Sequence, residues 1–367
     1  MKRIILAAVI LLLVQAHEVA AHPATGIVVD RSGNVYFSDL ETIWKIDLKG
    51  QRSVFREGVS GRHIHELSID ANDNIYGADI SYEPATERWI SDIWKMTPAG
   101  QLTYLIEPTS NPPRGASMWF DRHGNMYQVD QNNHLRQHTV LLKRTPNGEV
   151  TVFAGGSYGY ADGKGAAARF SSIGGMFIAP DDTIYLTDNN SVRKVAPDGT
   201  VTTLARGLDF KTPNDDPRLF AAYGGLAGLA VDSAKNVYVA DASKRRLLKI
   251  DPAGRVSVVL RNEAPYFPNG VAVANGSVYV LELGLTLPNS WSSPRVRKIA
   301  PDGKAEIVGP LNEEINRSLA TRAGVTAERA LAFITEHSLL TGVVIGGGVV
   351  GVTALLAWLF HRRLKTE

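Results

Sequence analysis

The sequence predicts an all-β fold: a six-bladed β-propeller of four-stranded antiparallel blades, followed by a short helical stalk and one C-terminal transmembrane helix. Three observations carry that expectation. First, one phrase is written six times: an apolar residue, any residue, Lys, an apolar residue (Arg144 in the third copy), three turn residues and Gly. The copies are IWKIDLKG (Ile43–Gly50), IWKMTPAG (Ile93–Gly100), LLKRTPNG (Leu141–Gly148), VRKVAPDG (Val192–Gly199), LLKIDPAG (Leu247–Gly254) and VRKIAPDG (Val296–Gly303). Their lysines, Lys45, Lys95, Lys143, Lys194, Lys249 and Lys298, lie 50, 48, 51, 55 and 49 residues apart. A period of about 40–50 residues belongs to propellers and solenoids. Second, the segment ahead of each phrase is an alternating strand that carries Tyr and ends in an acid: Asp39, Asp79, Asp130, Asp188, Asp241 and Glu282. Third, the chain closes on Leu339–Phe360, which is apolar and uncharged.

Taken in order, residues 1–21 read as a secretory signal peptide. Lys2 and Arg3 precede the apolar run Ile4–Val14, and Val19-Ala20-Ala21 offers a small-residue cleavage site. The propeller is expected over 25–309. Blade five shows the unit most cleanly: Gly228–Asp232 alternates, Asn236–Asp241 is a second strand, Leu247–Ile250 a third and Val256–Leu260 a fourth. Asp251-Pro252-Ala253-Gly254 supplies the turn between the last two. Four short antiparallel strands make a blade. First strands are expected to start near Gly26, Glu66, Ser117, Gly175, Gly228 and Gly270, with the ring closed by packing blade one on blade six. Residues 310–338 read as a helical membrane-proximal stalk, with Thr326 as an N-cap. Residues 339–360 span about 33 Å as a helix, enough for a hydrocarbon core. Residues 361–367 are basic and are placed in the cytosol by the positive-inside rule. Both ends imply an exported, single-pass membrane protein with a periplasmic or cell-surface domain. The pairs Gly342/Gly346 and Gly347/Gly351 could pack two such helices as a homodimer.

Composition excludes several functions. The net charge of +2 and the absence of any like-charge block argue against nucleic acid. Cysteine is absent, so there are no disulfides, thiolate nucleophiles or cysteine-ligated metals. Features present in all six copies are read as architecture. The acid ending each second strand is expected to accept backbone N–H bonds from the following loop, and the lysines are expected at repeated surface or inter-blade positions.

The stretch FAGGSYGYADGKGAAARFSSIGGMFIAPDDTIYLTDNNSVRKVAPDGTVTTLA (Phe153–Ala205) resembles bacterial NHL-repeat proteins. That resemblance implies a propeller and, because the family holds both binding platforms and enzymes, no single activity. Two pattern matches inside it are discarded. Gly155-Gly-Ser157-Tyr-Gly159 fits G-x-S-x-G and Gly163-Lys-Gly165-Ala-Ala-Ala168 fits the dinucleotide variant, but neither has the helix its chemistry requires in an inter-blade loop.

Singletons are the functional candidates. Blade two alone places His65 and Glu66 where other blades carry small residues, and blade six places Asn269 at the His65-equivalent position in Phe267-Pro-Asn-Gly-Val271. That last phrase resembles the channel segment of gluconolactonase/senescence-marker and strictosidine-synthase-like propellers. In those families a ring of Glu, Asn and Asp holds a divalent metal, so the resemblance implies Ca²⁺ or another divalent cation on Glu66 and Asn269. The equivalent positions in blades three, four and five are Ala116/Ser117, Gly174/Gly175 and Ala227/Gly228. His63 and His65, with His134 and His138 of blade three, form a second constellation that could hold Zn²⁺ with Glu66. Irregular rim loops are expected at Ile80–Asp92 with Trp89, at Arg206–Tyr223, and at Leu283–Arg295 with Trp291. The expected role is a membrane-tethered module that binds a ligand or protein through its top rim, at His65, Glu66, Trp89, His134, Asn269 and Trp291. The alternative is a metal-dependent lactonase or esterase at the channel mouth.

Overall fold

The computed structural model describes residues 26–59, 61–83, 85–110, 118–131, 137–208, 225–286 and 290–309, with side chains left out at 285, 286 and 290–293. The expected signal peptide, stalk, membrane helix and basic tail lie outside the described residues. Among the described residues no helix is long and apolar enough to cross a membrane.

The chain forms six antiparallel sheets, each built from strands consecutive in sequence apart from one added edge strand. Blade one runs Ile27–Val29, Val35–Ser38, Ile43–Ile46, Arg52–Arg56, and blade five runs Leu226–Val231, Val237–Asp241, Arg246–Ile250, Val256–Arg261. No strand is shared between the first and last blades, as the sequence leads one to expect. The ring closes by contact: a Cβ on Gly309, after the last strand of blade six, would stand 2.5 Å from Ile46 of blade one.

The core lies between blades rather than within them. Val28, Tyr36 and Ile43 of blade one pack on Ile64, Leu67 and Trp94 of blade two, and the same arrangement recurs between later blades. Second strands are sandwiched on both faces; Ile184–Asp188 and Val237–Asp241 are buried throughout. That explains their dense Val, Ile and Tyr content.

The repeat now has physical reasons. Each phrase lysine stands directly across from the second-strand tyrosine, as in Tyr36↔Lys45 and Tyr238↔Lys249. Its ammonium sits over that ring at 5.4 Å in Lys45 and 5.7 Å in Lys249. In blades one, two, three and five the tyrosine is held at its other end by an Asp six residues earlier, whereas blades four and six have Ala179 and Val273 there. Asp30 accepts the Asn34 N–H at 2.8 Å, the Asn34 side-chain amide at 2.7 Å and the Tyr36 hydroxyl at 3.1 Å. Asp70-Asn74-Tyr76, Asp121-Asn125-Tyr127 and Asp232-Asn236-Tyr238 repeat this lock. Burial opposes ionisation of Asp70, yet hydrogen bonds from Asn74, Tyr76 and the Asn72 N–H outweigh it and hold its carboxyl below the ordinary value.

Three expectations need correction. Blade four has five strands, because Gly163–Lys164 pairs with the outer strand Thr200–Arg206. The segment read as an inter-blade loop therefore contains an edge strand and one 3₁₀ turn, Gly165–Ala167. In addition, two expected rim loops are hairpins. Ile75–Glu83 and Arg88–Met96 of blade two pair up to Glu83↔Arg88, and Ser277–Thr286 and Ser290–Ile299 of blade six pair up to Thr286↔Ser290. Finally, the first strands of these two blades start at Arg62 and Tyr266, four residues earlier than expected.

Inner strands approach backbone to backbone, which the first-strand glycines allow. A Cβ on Gly175 would lie 2.5 Å from the Ala227 carbonyl oxygen, and one on Gly228 would lie 2.8 Å from that of Asn269. Gly175→Ala is expected to lower unfolding stability by about 3 kcal/mol through this overpacking, measured by urea titration.

Candidate functional site

The inner strands of all six blades enclose a central cavity of about 150 Å³, lined by Ile27, Glu66, Trp119, Met176, Leu229 and Val271 among others. Glu66 is the one ionisable side chain among the residues lining it. Its position follows from a bulge. In blade two the register steps from Ile64↔Asp79 to Leu67↔Gly77, which leaves His65 and Glu66 opposite a single partner residue. Bulges bend a strand and re-aim its side chains. Blades four and five carry the same shift at Ile173/Met176 and Leu226/Leu229, filled there by Gly174-Gly175 and Ala227-Gly228. Blade six shifts at Pro268/Gly270, around Asn269. Among the described inner-strand bulges, only those of blades two and six carry polar side chains, and of these Glu66 lines the cavity. The two flank blade one: Gly26 donates its N–H to the His65 carbonyl at 2.9 Å, and the inner strands of blades one and six touch.

Those same blades have the tall hairpins. Blade one between them is low, its middle strands being only 4 residues each. Among the described residues, the hairpins of blades two and six thus stand on either side of a lower blade one, with a notch between them. On the blade-two hairpin Tyr82 and Trp89 are cross-strand partners with ring centroids 5.4 Å apart, about half exposed. His63 pairs opposite Ile80 on the same strand face, and its ring stands 6.1 Å from that of His65. Asn269 is buried, 1% exposed. Trp291 pairs with Leu285 in the blade-six hairpin, and its side chain lies outside the described residues, as does the whole of His134.

Divalent-metal binding does not fit the donor set that is described. Glu66 and Asn269 are two oxygen donors, whereas a hard cation takes six to eight. Blades four and five place glycine and alanine at the equivalent bulges, and Gly175 and Gly228 have no room for a side chain. Among the described residues no three His, Asp or Glu side chains gather closely enough to hold an ion. His138 is instead 3.3 Å from Asp130.

The recurring acids of blades one, two, four, five and six are structural, with a partner sequence reasoning missed. Asp39 and Asp241 do accept loop N–H groups, and Asp188 takes those of Ser171 and Ser172. Their principal partners, however, are donors on the third strand: Trp44 Nε1 at 2.6 Å, Arg193 at 2.8 Å, Arg246 at 2.6 Å and Arg297 at 2.5 Å. Asp79 takes the Trp94 Nε1 and a two-pronged bond from Arg56 of blade one, at 2.7 and 2.6 Å. The signal was legible as Trp or Arg one residue before or after the first residue of the repeated phrase.

Beside Asp79 lies a buried second carboxyl, Asp92, which accepts the Asp79 N–H at 3.3 Å and has Arg62 at 3.8 Å. Burial first, then the Asp79 carboxylate, push Asp92 up to about 6, against the pull of the Asp79 N–H, Arg62 and Arg56. A carboxyl raised on folding binds more protons in the native state. Its contribution to stability is present below about pH 4 and is lost as pH rises through about 6. Asp92→Asn is expected to be at least as stable as the parent at pH 8, by about 1 kcal/mol, and less favoured at pH 4.5; denaturant midpoints at the two pH values check this.

No known protein family's sequence profile matches the chain, and no curated protein sequence matches it. Solved structures that it resembles include a streptogramin B lyase, at 16% identity over 80% of this chain and 86% of that one, with a TM-score of 0.47. Another is a protein of unknown function from Bacteroides thetaiotaomicron, at 18% identity, 76% and 73% coverage and a TM-score of 0.49. A third is a gluconolactonase from Xanthomonas campestris, at 14% identity, 71% and 84% coverage and a TM-score of 0.45. These likenesses concern the propeller fold.

Proposed function

We propose that this propeller is a binding module that takes its ligand in the notch over blade one. One observation supports the reading above others: the two blades that fill their inner-strand bulge with long polar side chains are the two whose hairpins rise above the ring. Strand extension and bulge chemistry are independent sequence features, and their coincidence marks one location. Glu66 and His65 form its floor on the blade-two side, the buried Asn269 lies within the blade-six side, and the Tyr82–Trp89 pair tops the blade-two wall. Aromatic groups over a polar floor suit recognition of a compact polar ligand. Screening a library of small polar metabolites and saccharides by ligand-observed NMR tests this. Ligands seen with the parent chain are expected to vanish with Glu66→Ala/Asn269→Ala and to weaken with Trp89→Ala.

The proposal includes the setting. Residues 1–21 would direct export and 339–360 would hold the chain in a membrane with the propeller outside. Protease added to intact spheroplasts is expected to remove the propeller while leaving the tail; survival of the propeller with loss of the tail would reverse the orientation.

A further inference from the structure

The acid of blade three departs from the pattern of the others. Among its partners Asp130 has an imidazole: His138 Nε2 stands 3.3 Å from Asp130 Oδ1. Val140 and Leu142 occupy the third-strand positions that carry those donors elsewhere, so the contact moves out to His138, at the rim. The outer strand adds a third group. His138 is the direct cross-strand partner of Ser157, the last residue of Val150–Ser157. Asp130 pairs with Val140, two residues from His138, so Asp130, His138 and Ser157 project from one face of the blade.

We infer that Ser157, His138 and Asp130 form an acyl-transfer site for small carboxylic esters on the rim of blade three, separate from the channel mouth. Exposure is graded as such chemistry requires. Ser157 is exposed, the His138 side chain is 32% exposed and that of Asp130 17%. With the Nε2–H directed at Asp130, His138 Nδ1 is an acceptor, and it is the ring nitrogen nearer the backbone. Directly opposed residues have Cβ atoms about 5 Å apart, which places Ser157 Oγ in the neighbourhood of that nitrogen, and attack requires the two to close to hydrogen-bond distance. The G-x-S-x-G frame around Ser157 is no nucleophile elbow, because the serine ends a strand; the register supplies what the motif does not.

The step balances. Ser157 Oγ bonds to the ester carbonyl carbon as its proton passes to His138, and the collapsing adduct releases the alcohol, which takes that proton back. Water, deprotonated by His138, then frees the carboxylic acid and restores the serine. Asp130 is a positioning residue: it holds the ring and its tautomer.

An alkyl fluorophosphonate probes this without knowledge of the substrate, since attack by Oγ forms an O–P bond and expels fluoride. The full-length chain is incubated with excess probe and mapped by peptide mass spectrometry. One adduct is expected, on Ser157, absent from Ser157→Ala and formed about 100-fold more slowly in His138→Gln. Its rate in the parent is expected to rise with pH as one group of imidazole character loses its proton. Ser157 is exposed, so Ser157→Ala should unfold with the parent. If His138→Gln fails to fold, the pH profile decides the role of His138. No adduct, an adduct on another residue, a rate unchanged in folded His138→Gln, or a profile lacking the imidazole step would overturn the assignment.

Discussion

Replacing Arg193 with methionine is expected to lower the unfolding free energy by about 3–5 kcal/mol, the cost of leaving a buried charge unpaired. The guanidinium is fully buried, as is its partner Asp188 at 2.8 Å. It also donates to the Ala161 carbonyl at 2.8 Å, to Asp162 at 2.8 Å and to the Arg169 carbonyl at 3.3 Å. Tyr160 and Phe170 stack on it, with centroids 4.3 and 5.4 Å away. One side chain therefore ties the segment 160–170, including the approach to the fifth strand, to blade four. Burial already pushes the Asp188 carboxyl up, against the Ser172 and Ser171 N–H bonds and Arg193 itself, and removing the arginine would push it further in that direction. Arg193→Met should expose the amides of 160–170 to hydrogen exchange before those of Ile184–Asp188. Arg193→Met/Asp188→Leu should recover part of the loss, because a buried pair is costly to break and cheap to replace. Equal stability of the single variant and its parent would remove Arg193 from this role.

The second large effect is on binding. Glu66→Ala is expected to weaken ligand affinity at least about 100-fold while changing stability by less than about 1 kcal/mol. A carboxylate that hydrogen-bonds a bound ligand leaves the ligand's polar group unsatisfied when it is removed. Its half-buried backbone position in a bulge packs few side chains, so truncation spares the core. A loss of several kcal/mol in stability with affinity retained would make Glu66 a structural hydrogen-bonding residue instead.

The propeller was legible because its determinants are local. The lysine of each phrase, the tyrosine it covers and the Asp-x-x-x-Asn-x-Tyr lock all act within one hairpin, so they recur at fixed spacing. What escaped the sequence depends on register. Ile80–Asp92 and Leu283–Arg295 have turn-like composition and no repeat partner, yet pairing with the strands below them extends the ladder. Gly163–Lys164 is too short to show a strand period, and its edge position comes from Arg193 fixing the surrounding segment. Glu66 and Asn269 stood out as departures, but the bulges that place them, a three-for-two step in blade two and a two-for-one step in blade six, are features of pairing that composition does not encode. Asp130 was read with the other acids, and its exchange of arginine for His138 needed the register of three strands.

The site proposal turns on whether binding depends on the two flanking blades together. Isothermal titration of one ligand from the library into the parent, Glu66→Ala, Asn269→Ala and the double variant measures this directly. The notch over blade one predicts that each single change weakens binding and that the double loss is smaller than the sum, since both groups hold the same ligand. An affinity unchanged in the double variant, with heat still evolved at the parent's stoichiometry, would contradict it and place the ligand elsewhere on the propeller.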